Sequence, residues 1–137
     1  MDFNQSEERG MLADTLARFI REKYPLEKRN EAVLSDTGYC PENWAELADL
    51  GIIGCLFSEA DGGFGGDAFD IMVAFEAIGH GLMPEPFLES AVLAGGAIAV
   101  AGDERQKGLL ASIMDGSQIA GFAHYEPDAH YELSQVT

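Results

Sequence analysis

The sequence predicts an all-α fold, an orthogonal or up-and-down bundle of about five helices with the start of a β domain behind it. Three observations carry that reading. Apolar residues recur every three to four positions through most of the chain, and capping pairs, prolines and glycines cut that pattern into short helices. Only one segment, Gln118 to Tyr125, reads as extended, and a lone strand needs partners that the sequence does not offer.

The first helix is expected to start at a capping box of Asn4 and Glu7, with Phe3 as the staple before the cap. Met11 or Leu12, Thr15 or Leu16, Phe19 and Ile20 follow at helical spacing. The helix ends near Tyr24-Pro25, because a residue before proline avoids helical dihedrals. Leu26 to Leu34 is charged and gives a short, mostly exposed helix before the turn signal Ser35-Asp36-Thr37-Gly38. Pro41 suits a first helical position, and Trp44, Leu47, Ala48 and Leu50 form an apolar stripe that Gly51 closes. The apolar run Ile52 to Phe57 leads into Gly62-Gly63-Phe64-Gly65-Gly66. Glycines at that density signal unusual dihedrals or a close backbone approach.

Asp67 is a good N-cap with Asp70 in the favourable first turn, and Ile71, Met72, Phe75, Ile78 and Leu82 repeat up to Pro84 and Pro86. The next helix, Phe87 to Ala101, is apolar on most of its circumference and is therefore expected to be central. Its small residues Ala94, Gly95, Gly96 and Ala97 admit a neighbouring helix or a ligand. Asp103 and Gln106 form another capping box, and Leu109, Leu110, Ile113 and Met114 make a last helical face up to Gly116. Residues 1–116 thus read as a helical domain and 117–137 as the truncated start of a β domain.

Acidic side chains outnumber basic ones 24 to 8, a net charge of -16, which repels phosphate backbones and anionic lipid. Nucleic acid and a polybasic membrane anchor are therefore not expected as partners. The N-terminus lacks the basic and apolar pattern of a secretory signal, and no apolar stretch is long enough to span a bilayer, so a cytoplasmic protein is expected. Cys40 and Cys55 are expected as free thiols, with no ligand spacing for a metal.

The residues alone show no self-contained active site. Glu22, Glu27, Glu31, Glu42 and Glu46 fall on polar faces, while Glu76 and Glu89 sit in apolar-rich helices. His80 lies near a helix C-terminus, where it complements the dipole. His124 and His130 flank a proline turn and make an unconvincing metal pair. The glycine cluster suits anion binding through backbone N–H groups, or more simply a tight turn with close packing.

The order of motifs nevertheless resembles the acyl-CoA dehydrogenase family. The similarity lies in Tyr24-Pro25-Leu26-Glu27, the run Trp44 to Gly54, the segment Phe57 to Gly66, Glu76-Ala77-Ile78-Gly79 and the run Ala101 to Lys107. It covers about Phe3 to Pro127. The resemblance implies an N-terminal helical domain followed by a β domain and a four-helix domain, with FAD bound between the last two. It also implies oxidation of the Cα–Cβ bond of an acyl-CoA thioester. There a glutamate takes the α proton and the flavin the β hydride. That glutamate has no counterpart here, so no catalytic residue is expected in this chain, nor is FAD expected to be held by it alone.

The same resemblance puts His124, Tyr125 and Glu126 at the cofactor, where the family has an apolar residue, a threonine and a glutamate. Glu89, Leu93, Gly96 and Tyr131 line the substrate. His130-Tyr131 replaces a Gly-Ser pair, so a tight turn there is in doubt. Acyl-CoA, an electron-transfer flavoprotein or similar acceptor, and further subunits in a homo- or hetero-oligomer are the implied partners. The departures leave two alternatives open: a flavin-free, non-catalytic subunit of a hetero-oligomeric dehydrogenase, and a stand-alone helical interaction module.

Overall fold

The computed structural model describes residues 6–130, 132, 134 and 135. Ser6 caps the first helix, α1 (Glu7–Lys23), its hydroxyl accepting from the Arg9 N–H at 3.3 Å. The cap expected at Asn4 and its staple Phe3 lie outside the described residues. Leu16 and Phe19 are the buried positions of α1, and the helix ends at Tyr24, immediately before Pro25. A short helix, α2 (Leu26–Val33), buries nothing, as a charged segment should. Pro41 opens α3 (Pro41–Asp49), which buries Trp44 and Leu47. Leu50, expected in that stripe, lies past the helix end and is exposed.

Two 3₁₀ turns, Gly54–Leu56 and Glu59–Asp61, carry the chain into the glycine cluster. The cluster folds back on the segment before it. The Phe64 N–H donates to Gly54 O, while the N–H groups of Gly65 and Gly66 both donate to Phe57 O at 3.1 Å. Those amides are committed to carbonyls rather than presented to an anion. A Cβ on Gly66 would lie 1.6 Å from Cys55 O, which is why the chain has glycine at that contact. Cys40 and Cys55 are free thiols, both half-buried.

Next comes α4 (Ala68–Gly81), which starts at a capping box between Asp67 and Asp70. It packs along α1, and Arg9 fastens the two by donating to Asp67 at 2.7 Å and to Asp70 at 3.0 Å while lying over the Phe69 ring. After Pro84-Glu85-Pro86 the chain forms a π-helix, π1 (Phe87–Gly95), that continues as α5 (Gly96–Ala101). The sequence suggested one α-helix buried all round. Instead Phe87, Ser90, Ala91, Ala94 and Gly95 are buried on one face, and the opposite face is open, with Val100 89% exposed.

The last helical stretch divides into α6 (Glu104–Lys107), with its Asp103–Gln106 capping box, and α7 (Leu110–Met114). The core joins Leu16, Leu47, Ile53, Phe87, Leu110 and Ile113, all essentially inaccessible. The ring of Trp44 meets that of Phe87 edge-on at 5.1 Å, and its indole N–H donates to Gly116 O at 3.1 Å. Among the described residues there is no strand. The segment expected to be one, Gln118 to Tyr125, is extended without a ladder, since a strand must pair with another to form one.

Gly66→Ala should lower stability by at least about 2 kcal/mol, because the new Cβ meets backbone that cannot yield. Gly79→Ala, whose Cβ meets nothing within 4 Å in an exposed helical position, should raise it by about 0.5–1 kcal/mol. Urea denaturation of the two variants beside the parent checks both.

Candidate functional site

The open side of π1 and α5 is the first feature with chemical potential. Glu89, Leu93 and Val100 are exposed there, and a Cβ on the half-buried Gly96 would meet nothing within 4 Å. Spacings of four, three and four residues align these positions along one helix face. The other face is fixed against the core. Gly95 lies so close to the Phe57 ring that a Cβ would come within 2.6 Å of it, and Ser90 is fully inaccessible. A π-helix spreads its residues over a wider turn than an α-helix, and such stretches often occur at functional sites.

Ser90 has a task that its sequence position did not reveal. Its hydroxyl accepts from the Ala120 N–H at 3.1 Å, tying the extended segment to π1. Ala120, Gly121 and Phe122 then enclose a small cavity of about 270 Å³ against Ala94, Ile98 and Gly102. Further along, the rings of Phe122 and His124 stack at 5.3 Å, and those of His124 and Tyr125 meet tilted by 35° at 4.1 Å. Tyr125 is 71% exposed and Glu126 half-buried. Beyond Pro127, His130 takes a left-handed φ of 45°, so histidine does not prevent the turn that glycine would make more easily.

A second buried polar contact lies at the entrance to π1. Tyr24, at the end of α1, donates its hydroxyl to Glu85 Oε1. Both residues are buried, Glu85 only 5% exposed, and among the described residues its Oε2 has no hydrogen-bond partner. Burial pushes the Glu85 carboxyl above its ordinary range, against the lowering influence of the tyrosine hydroxyl. Burial, and then the carboxyl itself, raise the Tyr24 hydroxyl as well. Since Pro84 and Pro86 flank Glu85, this contact sets where π1 begins.

Of the residues singled out in the sequence, Glu89, Leu93 and Gly96 share one open face, and His124 and Tyr125 share one ring stack with Phe122. Tyr131 lies outside the described residues. Glu76 is exposed. Among the described residues no three His, Cys, Asp or Glu side chains converge as metal ligands, and no helix is long and apolar enough to cross a membrane. Ser90, Tyr24 and Glu85 were missed. The usable signal was a serine within an apolar helix and a glutamate between two prolines, both unusual company for a polar side chain.

Comparison with known proteins decides the family. Residues 6–117 match the model described as "Acyl-CoA dehydrogenase, N-terminal domain". The chain belongs to the acyl-CoA dehydrogenase family. It is 34% identical over 129 residues to acyl-CoA dehydrogenase FadE27 of Mycobacterium tuberculosis, covering 87% of this chain and 32% of the relative. Among solved structures, a steroid ACAD variant titled Tcur3481-Tcur3483 superposes with a TM-score of 0.81 at 28% identity, covering 88% of this chain and 33% of that one. The ChsE4-ChsE5 complex of Mycobacterium tuberculosis gives a TM-score of 0.78 at 32% identity, with coverage of 87% and 33%. The chain thus spans about a third of the length of these acyl-CoA dehydrogenase relatives.

Two outcomes test the buried contacts of this acyl-CoA dehydrogenase domain. Ser90→Ala should cost about 1 kcal/mol by leaving the Ala120 N–H without its acceptor, measurable by denaturant titration. Because the folded-state pKa of Glu85 is raised above the ordinary value of 4.5, the folded protein holds that proton more tightly than the unfolded chain. Its contribution to stability is complete below that value and is lost as pH rises through the raised one. Relative to Glu85→Gln, the parent should therefore lose stability as pH rises above 4.5, and parallel thermal melts over a rising pH series check the sign.

Proposed function

We propose that this chain forms the N-terminal helical part of an FAD-dependent acyl-CoA dehydrogenase, an enzyme that oxidises the Cα–Cβ bond of an acyl-CoA thioester. Residues 117–137 then open its β domain. The observation that carries the reading is the open stripe of Glu89, Leu93, Gly96 and Val100 on the side of π1 and α5 turned away from the core. A mostly apolar face on a helix pinned along its other side is suited to wall a cavity for an acyl chain and to keep water out of it. Gly96 leaves room for the chain, and Leu93 limits its length.

The segment after Ser90's partner supplies the second part of the reading. His124 and Tyr125 present an exposed pair of rings, and Glu126 follows them; flat aromatic surface of this kind fits the edge of a flavin. When bound, FAD supplies the acceptor for the hydride that leaves the β carbon. The role of this chain is to orient the acyl group and exclude water, and we assign none of its residues as the base. An electron-transfer flavoprotein or similar acceptor, and further subunits in a homo- or hetero-oligomer, complete the system. Fatty acyl and steroid side-chain thioesters are the substrate classes in view.

The ring stack also favours a second reading. Phe122, His124 and Tyr125 already pack on one another, and two solved relatives carry titles that pair two differently named proteins. In a hetero-oligomer this chain would then be the flavin-free, non-catalytic subunit that completes its partner.

Flavin content and acyl-CoA-dependent dye reduction of the full-length protein, alone and co-expressed with a candidate partner, distinguish the cases. Stoichiometric FAD with turnover supports the first reading, and a colourless protein that activates a flavin-bearing partner supports the second. Neither property under either condition overturns both. In the active form, Leu93→Phe should reduce kcat/KM for the longest accepted thioester by at least about tenfold while sparing short ones.

A further inference from the structure

A second cavity, untouched by the acyl-CoA dehydrogenase reading, lies where the ends of α1 and α4 meet the start of α2. It is a half-open groove of about 550 Å³, within the size range of small-molecule sites. Ile20, Leu26, Ala77 and Leu82 make its apolar surface. Arg21, Arg29 and His80 also line it, and among the described residues no carboxylate does. In a chain with 24 acidic side chains and 8 lysines and arginines, a described lining with two arginines and no acid runs against the composition.

The arginines are also unspent. Arg9, Lys23 and Lys28 each form an ion pair, whereas among the described residues neither Arg21 nor Arg29 has one. Arg29 donates through Nε to the carbonyl of Leu82 at 3.2 Å and through Nη1 to Asn30 at 3.2 Å, which orients its guanidinium beside the groove without neutralising it. Leu82 itself breaks two local rules. It caps α4 in the left-handed region with φ 50°, where glycine or asparagine is the ordinary choice, and its apolar side chain is 60% exposed. Leu26 lines the same groove and is 63% exposed. A left-handed leucine, bare apolar side chains and two arginines outside any ion pair among the described residues meet at this groove.

We propose that this groove binds an amphipathic anion, an apolar body carrying a carboxylate or phosphate head. The leucines and Ile20 cover the apolar body, and the guanidinium groups of Arg21 and Arg29 receive the head, a pairing that planar arginine forms with either anion. The proposal stands whether or not the protein is a dehydrogenase, because it rests on none of the residues of the π1 and α5 stripe.

Isothermal titration calorimetry of the full-length protein with dodecanoate, dodecyl phosphate and neutral dodecan-1-ol tests it. Both anions should bind, one or the other head group more tightly, and the alcohol at least about tenfold more weakly than either. Arg21→Gln should weaken anion binding by at least about fivefold. Leu82→Gly relieves the left-handed strain, so it should leave the melting temperature unchanged or raised and yet weaken binding, a combination that a purely structural leucine would not produce. The proposal is overturned if neither anion binds, if the alcohol binds as well as they do, or if both variants bind like the parent, which would place the ligand elsewhere.

Discussion

The contact between Trp44 and Phe87 holds the domain in one arrangement. The indole reaches three elements at once: it belongs to α3, meets the first residue of π1 edge-on, and donates its N–H to Gly116 behind α7. Large rings contribute most of the area that a small core can bury, and a polar tip that must find a partner adds direction to that burial. Once Phe87 is fixed this way, the buried side of π1 is set, and Ser90, Ala91 and Ala94 follow it inward at helical spacing. The side carrying Glu89 and Leu93 is left outward as a consequence. The face proposed to receive substrate is therefore set by the packing of its reverse.

The same logic extends to the periphery. Arg9 holds the beginning of α4 to α1, and Tyr24 with Glu85 holds the end of α1 to the linker that leads into π1. The glycine cluster lets the loop between them lie flat on Gly54 and Phe57, whose carbonyls would otherwise lack these donors. A side chain at Gly66 would lift the loop away and with it the cap at Asp67.

The helices were legible because each boundary is written locally. Pro25, Pro41, the Asp67–Asp70 pair and the Asp103–Gln106 pair act within a turn of themselves, so their meaning does not depend on distant residues. The family, too, was legible, from the order of short motifs rather than from any one of them. Less could be read of π1, because its apolar composition suits burial on all sides, while its packing occupies only one. Gln118 to Tyr125 has the residues of a strand, but pairing is a property of two segments, and one sequence segment cannot declare it. The Tyr24–Glu85 contact joins positions 61 apart and leaves no periodic trace, and the bond from Ala120 to Ser90 spans thirty positions in the same way. All the residues proposed for the site from the sequence were singled out by the resemblance; helical spacing says only that Glu89, Leu93 and Gly96 share one face.

The hydrogen bond from Ala120 to Ser90 makes the extended segment a follower of the helix rather than a free tail. The Phe122–His124 ring pair, a few residues beyond that bond, therefore follows a segment whose position is set from inside the core. The buried Ser90 hydroxyl thus ties the ring-bearing segment to the helix whose outer face is open.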